Sequence, residues 1–453
     1  MSNFSKGSRM KIRFALVAAL VAATTLPAAD LQVAPGTTFS ISGFLAVGTK
    51  YATVQNTVRP GLVDEVRVDD NTSRIFFSGS SKIADGYNAV FQVGSRFTTD
   101  VRPGDTILNG NTLTVSQGTG WADDDTWAGI ATPYGRIIFG KNSFYWADGV
   151  GLPHLAAALD SPGENYKVWD VQGLSTFTIL DQAVALPATN SLANVYTLGI
   201  TRSRNVIRYD SPNFKGVDFS LAWTKNAVGG EYWYPGTTTP NAAGYARGYE
   251  NGGTTYARIR YNGNGVTAFL AVLDQKLQGG IYAPALFTGP NDVSAYRMGV
   301  GYKLPMGLKL GATFDHTEIA NGVSGSSILT VKTFGSAAVA TATGIAKGKA
   351  QRDAFMLTAS YPYGDHTFHA TYAKAGDTSS IADTGANQFN LAWDYALNKK
   401  TFVGLEYTKL SNDSNGHYAP FLTNYNFGAS NPNPAGYNGE GFSQWQLGLH
   451  FWF

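Results

Sequence analysis

The sequence predicts an all-β protein: a 16-stranded antiparallel transmembrane β-barrel with short periplasmic turns and long external loops. Three observations support this fold class. Apolar and polar side chains alternate along most of the chain, the connections alternate between short and long, and the composition is that of one large sheet.

The last twelve residues show the alternation most clearly. Phe442 to Phe453 reads FSQWQLGLHFWF and ends the chain on an aromatic side chain. In a strand with a period of two residues, one face carries Trp445, Leu447, Leu449, Phe451 and Phe453, and the other carries Gln444, Gln446, Gly448 and His450. Because a chain end is normally frayed, an amphipathic strand at this position is best explained if it closes a sheet.

The composition favours a barrel over two or three ordinary domains. The 453 residues include 52 Gly, 26 Phe, 24 Tyr and 9 Trp, and only 15% are charged. Glycine and aromatic residues are what strands, turns and membrane girdles use. The chain has no cysteine, so no disulfide or thiolate metal site contributes to its stability.

The N-terminus reads as a secretory signal peptide. Lys11 and Arg13 precede an apolar run from Phe14 to Ala23, and small residues follow up to Ala29. The run is shorter than the roughly 20 residues that a helical span requires. We therefore expect a signal peptide at residues 1–28 and a barrel at residues 29–453. Removing four basic residues leaves 30 basic and 32 acidic side chains, a balance that argues against nucleic acid as a partner.

Sixteen segments alternate in the way that strands of a half-buried sheet do. An even number allows both termini to lie on the same side, as in single-chain bacterial barrels. After the signal peptide no apolar stretch is long enough for a helical span, so a membrane form requires a closed sheet. The predicted strands cover residues 38–51, 73–82, 87–98, 126–132, 135–141, 203–211, 216–225, 254–262, 266–276, 294–303, 308–318, 351–361, 366–376, 387–396, 400–411 and 442–453.

Several of these segments together resemble the general porins of Gram-negative outer membranes, in particular the beta-proteobacterial branch. The similar segments are Ser73-Arg74 with the following AVFQVGSRF, TWAGIATPYGRIIFGKN from Thr126, RNVIRYDSPNFKGVDFSLAW from Arg204, and the terminal strand. The resemblance implies a trimeric outer-membrane channel whose third loop folds inward. The connection at residues 142–201 occupies the place of that loop, and about sixty residues is long for an idle connection.

Strand alternation places basic side chains on the polar face. If Ile207, Tyr209 and Ile259 meet lipid, their neighbours Arg208, Arg258 and Arg260 face the lumen. The resemblance adds Lys141, at a position where the family carries a basic residue, and it places Arg74 at the constriction. The predicted basic wall comprises Arg74, Arg96, Arg136, Lys141, Arg204, Arg208, Arg258, Arg260 and Arg297.

Acidic residues concentrate in the connections, in this interpretation. Asp123 to Asp125 form one group, and the predicted constriction loop contributes Asp148, Asp160, Glu164 and Asp170. A basic wall opposite acidic loop groups would set up a transverse field and favour anions.

Enzyme chemistry is not indicated. His366 and His369 are three residues apart on a strand, so they point to opposite faces and cannot bind one metal. No G-x-S-x-G motif occurs, and the Asp triplet lacks the spacing of a calcium loop. We expect neither catalytic residues nor a cofactor or metal site.

The sequence thus predicts an outer-membrane channel for passive diffusion of ions and small hydrophilic solutes, with lipid and lipopolysaccharide around a homotrimer. Two alternatives stay open. The barrel could anchor a surface-binding or adhesive protein whose long loops carry the function, or the channel could be specific for one substrate through aromatic loop residues such as Tyr145, Trp146 and Trp169.

Overall fold

The computed structural model describes most of the predicted strands and the turns between them. The described residues are 30–56, 64–70, 73–96, 106–108, 112–114, 121–122, 124–143, 202–225, 253–277, 291–320, 329–331, 340–342, 349–377, 382–414, 416, 439 and 441–453. Within these residues no helix is both long and apolar enough to cross a membrane.

Twenty-two strands lie in the described residues, and eighteen of them belong to one antiparallel sheet. The other four form the isolated hairpins β6–β7 and β16–β17. In chain order the strands are β1 (Asp30–Ala34), β2 (Thr37–Gln55), β3 (Asp64–Asp70), β4 (Arg74–Ala84), β5 (Tyr87–Arg96), β6 (Thr106–Leu108), β7 (Thr112–Thr114), β8 (Thr126–Thr132), β9 (Gly135–Ser143), β10 (Arg202–Asp210), β11 (Val217–Lys225), β12 (Gly253–Gly263), β13 (Val266–Leu277), β14 (Asn291–Lys303), β15 (Lys309–Ala320), β16 (Leu329–Val331), β17 (Ala340–Ala342), β18 (Lys349–Tyr363), β19 (His366–Ala375), β20 (Ala386–Ala396), β21 (Thr401–Asn412) and β22 (Gly441–Trp452).

The sheet closes because the last strand pairs with the first long one. β22 pairs with β21 on one side and with β2 on the other, from Phe44 opposite Trp452 to Gln55 opposite Gly441. Gly43 and Phe453 exchange two backbone hydrogen bonds of 3.2 and 3.1 Å at the end of the seam. The terminal strand therefore closes the sheet, as predicted, and leaves no unpaired edge.

The eighteen strands occupy sixteen positions around the barrel. β3 and β4 follow one another along β2, because Asp70 lies opposite Val47 and Arg74 opposite Phe44. β1 continues the position of β22, since it pairs with β2 beyond the point where β22 ends. The prediction of a sixteen-stranded antiparallel barrel is confirmed.

The two faces of the sheet differ as the alternation predicts. Along β22, Trp445 and Leu447 are 50% and 42% exposed, whereas Gln446 and His450 are buried. Buried side chains on this sheet therefore point inward and exposed apolar ones outward. On the outward face, Trp223, Tyr302 and Trp445 are exposed at strand positions suited to an interfacial aromatic girdle.

The short turns follow the geometry of tight hairpins. β12 and β13 are joined by Asn264 and Gly265 alone, with φ of 54° and 75°. Two successive positive φ angles define a type I′ turn, whose twist matches that of the flanking strands.

Candidate functional site

A group of inward-facing arginines lines most of the circumference of the barrel interior. We call it the arginine wall, and it extends over the strands from β4 to β18. Alternation places these side chains opposite the exposed apolar face, and most are buried or half-buried. The wall consists of Arg74, Arg136, Arg208, Arg258, Arg260, Arg297 and Arg352.

Arg208 lies at the centre of the first cluster on this wall. Its Nε is 2.6 Å from Asp210 Oδ1, and its Nη1 and Nη2 donate to Asn142 Oδ1 (3.0 Å) and Ser220 Oγ (3.2 Å). Arg136 Nη2 lies 2.7 Å from the other carboxylate oxygen of Asp210. One aspartate on β10 thus holds two guanidinium groups and fixes their positions against the barrel wall.

Asp218 has the same role on the neighbouring strand, β11. It lies directly opposite Arg260 in the register of β11 and β12. Arg258 Nη2 is 2.9 Å from Asp218 Oδ1, and Arg260 Nη2 is 2.9 Å from Oδ2. Arg260 is the more accessible of the pair, with 25% of its side chain exposed against 7% for Arg258.

A third cluster joins β13, β14, β15 and β18. Arg297 lies opposite Asp315 in the β14–β15 register, and its guanidinium carbon is 4.9 Å from the centroid of the Phe269 ring. Asp315 Oδ1 is 3.5 Å from Arg352 Nη2. The cation–π contact and the carboxylate together hold this pair of arginines inward.

Arg74 and Lys141 have different surroundings. Arg74 Nε lies 3.2 Å from the fully buried carboxylate of Asp124, and its guanidinium carbon is 5.7 Å from the Phe44 ring centroid. Lys141 follows the outward-facing Phe139 by two residues and so shares its face, and its ammonium donates to the carbonyl of Ala122 at 2.5 Å. The structure therefore does not place Lys141 on the inward face, contrary to the expectation from the sequence.

Some of the predicted site residues cannot be placed. The side chains of Arg96 and Arg204 lie outside the described residues, although the Arg96 backbone is opposite Arg74 in the β4–β5 register. The whole predicted constriction loop from residue 144 to 201 also lies outside them, with Asp148, Asp160, Glu164 and Asp170.

The remaining strands, β19–β22, have a different chemistry on their inward face. Inward positions of β19–β22 carry uncharged polar side chains together with two carboxylates, Asp394 and Glu406. Asp394 Oδ2 lies 3.1 Å from His369 Nε2, and Thr408 donates to Glu406 Oε1 at 3.0 Å. We call this surface the amide wall: Thr371, Gln388, Asn390, Asp394, Glu406, Thr408, Gln444, Gln446 and His450, all buried.

The idea that acidic groups concentrate in the connections is incomplete. Within the described residues, Asp210, Asp218, Asp315, Asp394 and Glu406 all lie on strands and point inward. Sequence reasoning overlooked Asp218, Asp315 and Arg352, although strand alternation alone could have indicated their orientation. The charge of the basic wall is consequently compensated in part by neighbours on its own strands.

The described residues show no constellation typical of metal or catalytic chemistry. No group of three or more His, Asp or Glu among them could hold a metal ion. His366 and His369 do point to opposite faces: His369 is buried inside, and His366 accepts a hydrogen bond from Trp393 Nε1 (3.0 Å) among aromatic rings.

Solved structures of outer-membrane proteins share this fold. An anion-selective porin from Comamonas acidovorans matches with a TM-score of 0.60 and 16% identity, covering 92% of this chain and all of that one. The outer membrane channel DcaP of Acinetobacter baumannii matches with a TM-score of 0.52 and 13% identity, over 94% of this chain and all of the other. The trimer form of OmpT from Vibrio cholerae gives 0.51 and 11%, over 92% and 100%.

Sequence comparison identifies the family. No curated protein matches this sequence. The Gram-negative porin family, however, matches residues 15–415, which is most of the chain. Together with the closed sixteen-stranded barrel and its polar interior, this match shows that the chain belongs to the Gram-negative porins and forms a channel in the outer membrane.

Proposed function

We propose that this porin carries ions and small hydrophilic solutes by passive diffusion, with a weak preference for anions. The observation that supports the sign is the imbalance on the arginine wall. Among the described side chains there, seven arginines face four aspartates: Asp124, Asp210, Asp218 and Asp315. The porin of Comamonas acidovorans, which has a similar fold, is named anion-selective.

The carboxylates of the amide wall create, together with the arginines, an electric field across the pore. The described inward carboxylates of this wall, Asp394 and Glu406, lie on β20 and β21, outside the arginine wall. Opposite charges across a low-dielectric channel focus the field in the space between them. Polar solutes can align with such a field, whereas apolar solutes must displace ordered water.

Reversal potentials in planar bilayers test the proposal. With a KCl gradient, the wild-type protein should be more permeable to chloride, and Arg208→Ala or Arg74→Ala should reduce that preference. Lys374→Ala serves as the control, because Lys374 is exposed on the outward face of β19. A cation-selective wild type, or selectivity that both arginine variants leave unchanged, would overturn the assignment. Absence of stable channel steps would instead favour an anchor for surface binding.

We further propose that the native form is a homotrimer surrounded by outer-membrane lipid and lipopolysaccharide. The outward face offers a continuous apolar surface, with side chains such as Leu221, Ile259 and Val300 about half exposed. Trimeric relatives with this fold exist, as the Vibrio cholerae protein illustrates. Cross-linking of the protein in detergent should give a ladder that ends at three subunits, and a ladder that ends at one would contradict the trimer.

We also propose that the protein is exported and that it has no catalytic activity. Removal of residues 1–28 by signal peptidase should leave a mature barrel of residues 29–453, which N-terminal mass spectrometry of the outer-membrane protein would verify. Flux then follows the solute gradient, so no cofactor and no catalytic residue is required. Hydrolysis of lipid or ester substrates by the purified channel would refute the exclusion of catalysis.

A further inference from the structure

The amide wall has a regular arrangement across β19–β22. In the register, Asn390 lies opposite both Thr371 and Thr408, and Thr408 also lies opposite Gln444. The next row pairs Glu406 with Gln446. Two adjacent rows of amide, hydroxyl and carboxylate groups therefore run around this side of the interior. The amide and hydroxyl groups in these rows can each both donate and accept hydrogen bonds.

Several of these polar atoms are buried without a hydrogen-bond partner. Among the described residues, Gln446 lacks partners for both Nε2 and Oε1, and His450 lacks them for both ring nitrogens. Their side chains are 1% and 0% exposed. Buried polar groups are normally paired because leaving them unpaired is costly. Gln446 and His450 therefore keep unsatisfied donors and acceptors among the inward side chains.

A row without side chains separates the amide rows from His450. Gly404 and Gly448 are opposite each other, and Gly448 is also opposite Gly48 of β2. A Cβ on Gly48 would lie 2.6 Å from the Leu447 carbonyl oxygen, so this position requires glycine. No side chain projects into the interior from these three glycines.

An aromatic corner forms the far border of this row. The Phe44, His450 and Trp452 rings pack with centroid distances of 4.9 Å for each pair. All three come from inward positions at the seam of β2 and β22. Aromatic faces attract the polarised C–H groups of a ring-shaped solute, while amides satisfy its hydroxyl groups.

We propose that the amide wall, the glycine row and the aromatic corner form a binding site for neutral, hydroxyl-rich solutes of the saccharide class. The vicinal hydroxyl groups of a sugar donate and accept at once, as the amide of Gln446 does. Glu406 accepts from hydroxyl groups and repels anions, so this wall selects against the ions that the arginine wall attracts. The inference rests on the proposed function, because it requires an open lumen.

Block of ion current by sugar tests the site in the mature protein. Maltotriose added to a conducting bilayer should reduce the KCl current in a saturable way, whereas polyethylene glycol of similar mass should not saturate. Gln446→Leu should raise the half-saturating sugar concentration about tenfold, since it removes a donor and an acceptor to the ligand. Gln351→Leu is the matched control, because Gln351 is exposed on the outward face of β18.

The outcomes separate this inference from the proposed function. Conducting channels that maltotriose and polyethylene glycol affect equally, or a Gln446→Leu channel that sugar blocks as strongly as wild type, would overturn the saccharide site and leave the diffusion channel intact. A wild-type protein that gives no channel steps would overturn both. Because the wild-type measurement decides on its own, the test does not depend on the folding of a variant.

Discussion

Asp218→Asn is the substitution that most directly probes how the charges in the lumen are balanced. Asp218 holds Arg258 and Arg260 through two contacts of 2.9 Å. Asparagine has nearly the same shape but no charge, so the variant removes one negative charge that two guanidinium groups share. The wall becomes more positive by one unit without loss of volume.

The size of the effect follows from Coulomb's law. A monovalent anion that passes about 7 Å from the uncompensated charge gains roughly 0.6 kcal/mol in water. Screening at about 0.1 M salt reduces this gain to about 0.3 kcal/mol. Such an energy raises anion permeability and lowers cation permeability by about 1.65-fold each. The ratio of chloride to potassium permeability should therefore rise by about 2.7-fold.

The ratio of chloride to potassium permeability is obtained from zero-current potentials in a gradient between roughly 0.1 M and 0.01 M KCl, where salt screens the charges only weakly. Asp353→Asn is the matched control: it makes the same change of charge, but Asp353 is on the outward face of β18 with 64% of its side chain exposed. The reasoning fails if Asp218→Asn leaves the ratio unchanged or if Asp353→Asn shifts it as much.

Three further predictions concern the barrel. Deleting Phe451–Phe453 removes the Gly43–Phe453 hydrogen bonds and the Trp452 contact with Phe44. The heat-modifiable band of the folded protein on unboiled gels should therefore be lost. A normal band would contradict closure of the barrel by β22 and β2. Leu447→Arg puts a charge on the middle of the outward face of β22 and should destabilise the barrel by about 2–4 kcal/mol in lipid-vesicle refolding, unlike Met306→Arg in an exposed turn. Gly265→Ala should cost about 1–2 kcal/mol in the same assay because its φ is 75°, whereas Asn264→Gly should be nearly neutral.

The strands could be predicted because each separates water from an apolar environment. In β14, Tyr296, Met298 and Val300 point outward while Ala295, Arg297 and Gly299 point inward, so the period of two is visible from the sequence. The first hairpin was predicted too short. β2 continues to Gln55 and β3 begins at Asp64, but five of the seven residues of β3 are charged. Where a strand extends beyond the apolar band of the membrane, its sequence no longer needs to alternate between apolar and polar residues, so it is harder to predict.

The charge pairs could be predicted only to a limited extent. Alternation along one strand indicates that Arg258 and Arg260 point inward, but their pairing with Asp218 depends on the register between β11 and β12. That register is a property of the whole closed sheet, not of either segment. Lys141 was assigned from the resemblance to other porins, whereas its own strand places it on the side of Phe139. For such a residue, alternation is the better guide.

The amide wall was not recognised from the sequence for a related reason. The polar face of β22, with Gln444, Gln446 and His450, was identified, yet its neighbours on β20 and β21 were not connected to it. Only the register shows that Gly48, Gly404 and Gly448 share one row. The constriction loop prediction, in residues 142–201, falls almost entirely outside the described residues and stays a prediction.

Cysteine accessibility at neighbouring positions tests the central claim, that successive side chains alternate between water and lipid. The chain has no native cysteine, so single substitutions are unambiguous. Ile259 is 51% exposed on the outward face of β12, and the next residue, Arg260, points inward. A charged, water-soluble thiol reagent should modify Arg260→Cys and change the single-channel current, while Ile259→Cys should react only with a lipid-soluble maleimide. Equal reaction of both cysteines with the water-soluble reagent would contradict the barrel as described.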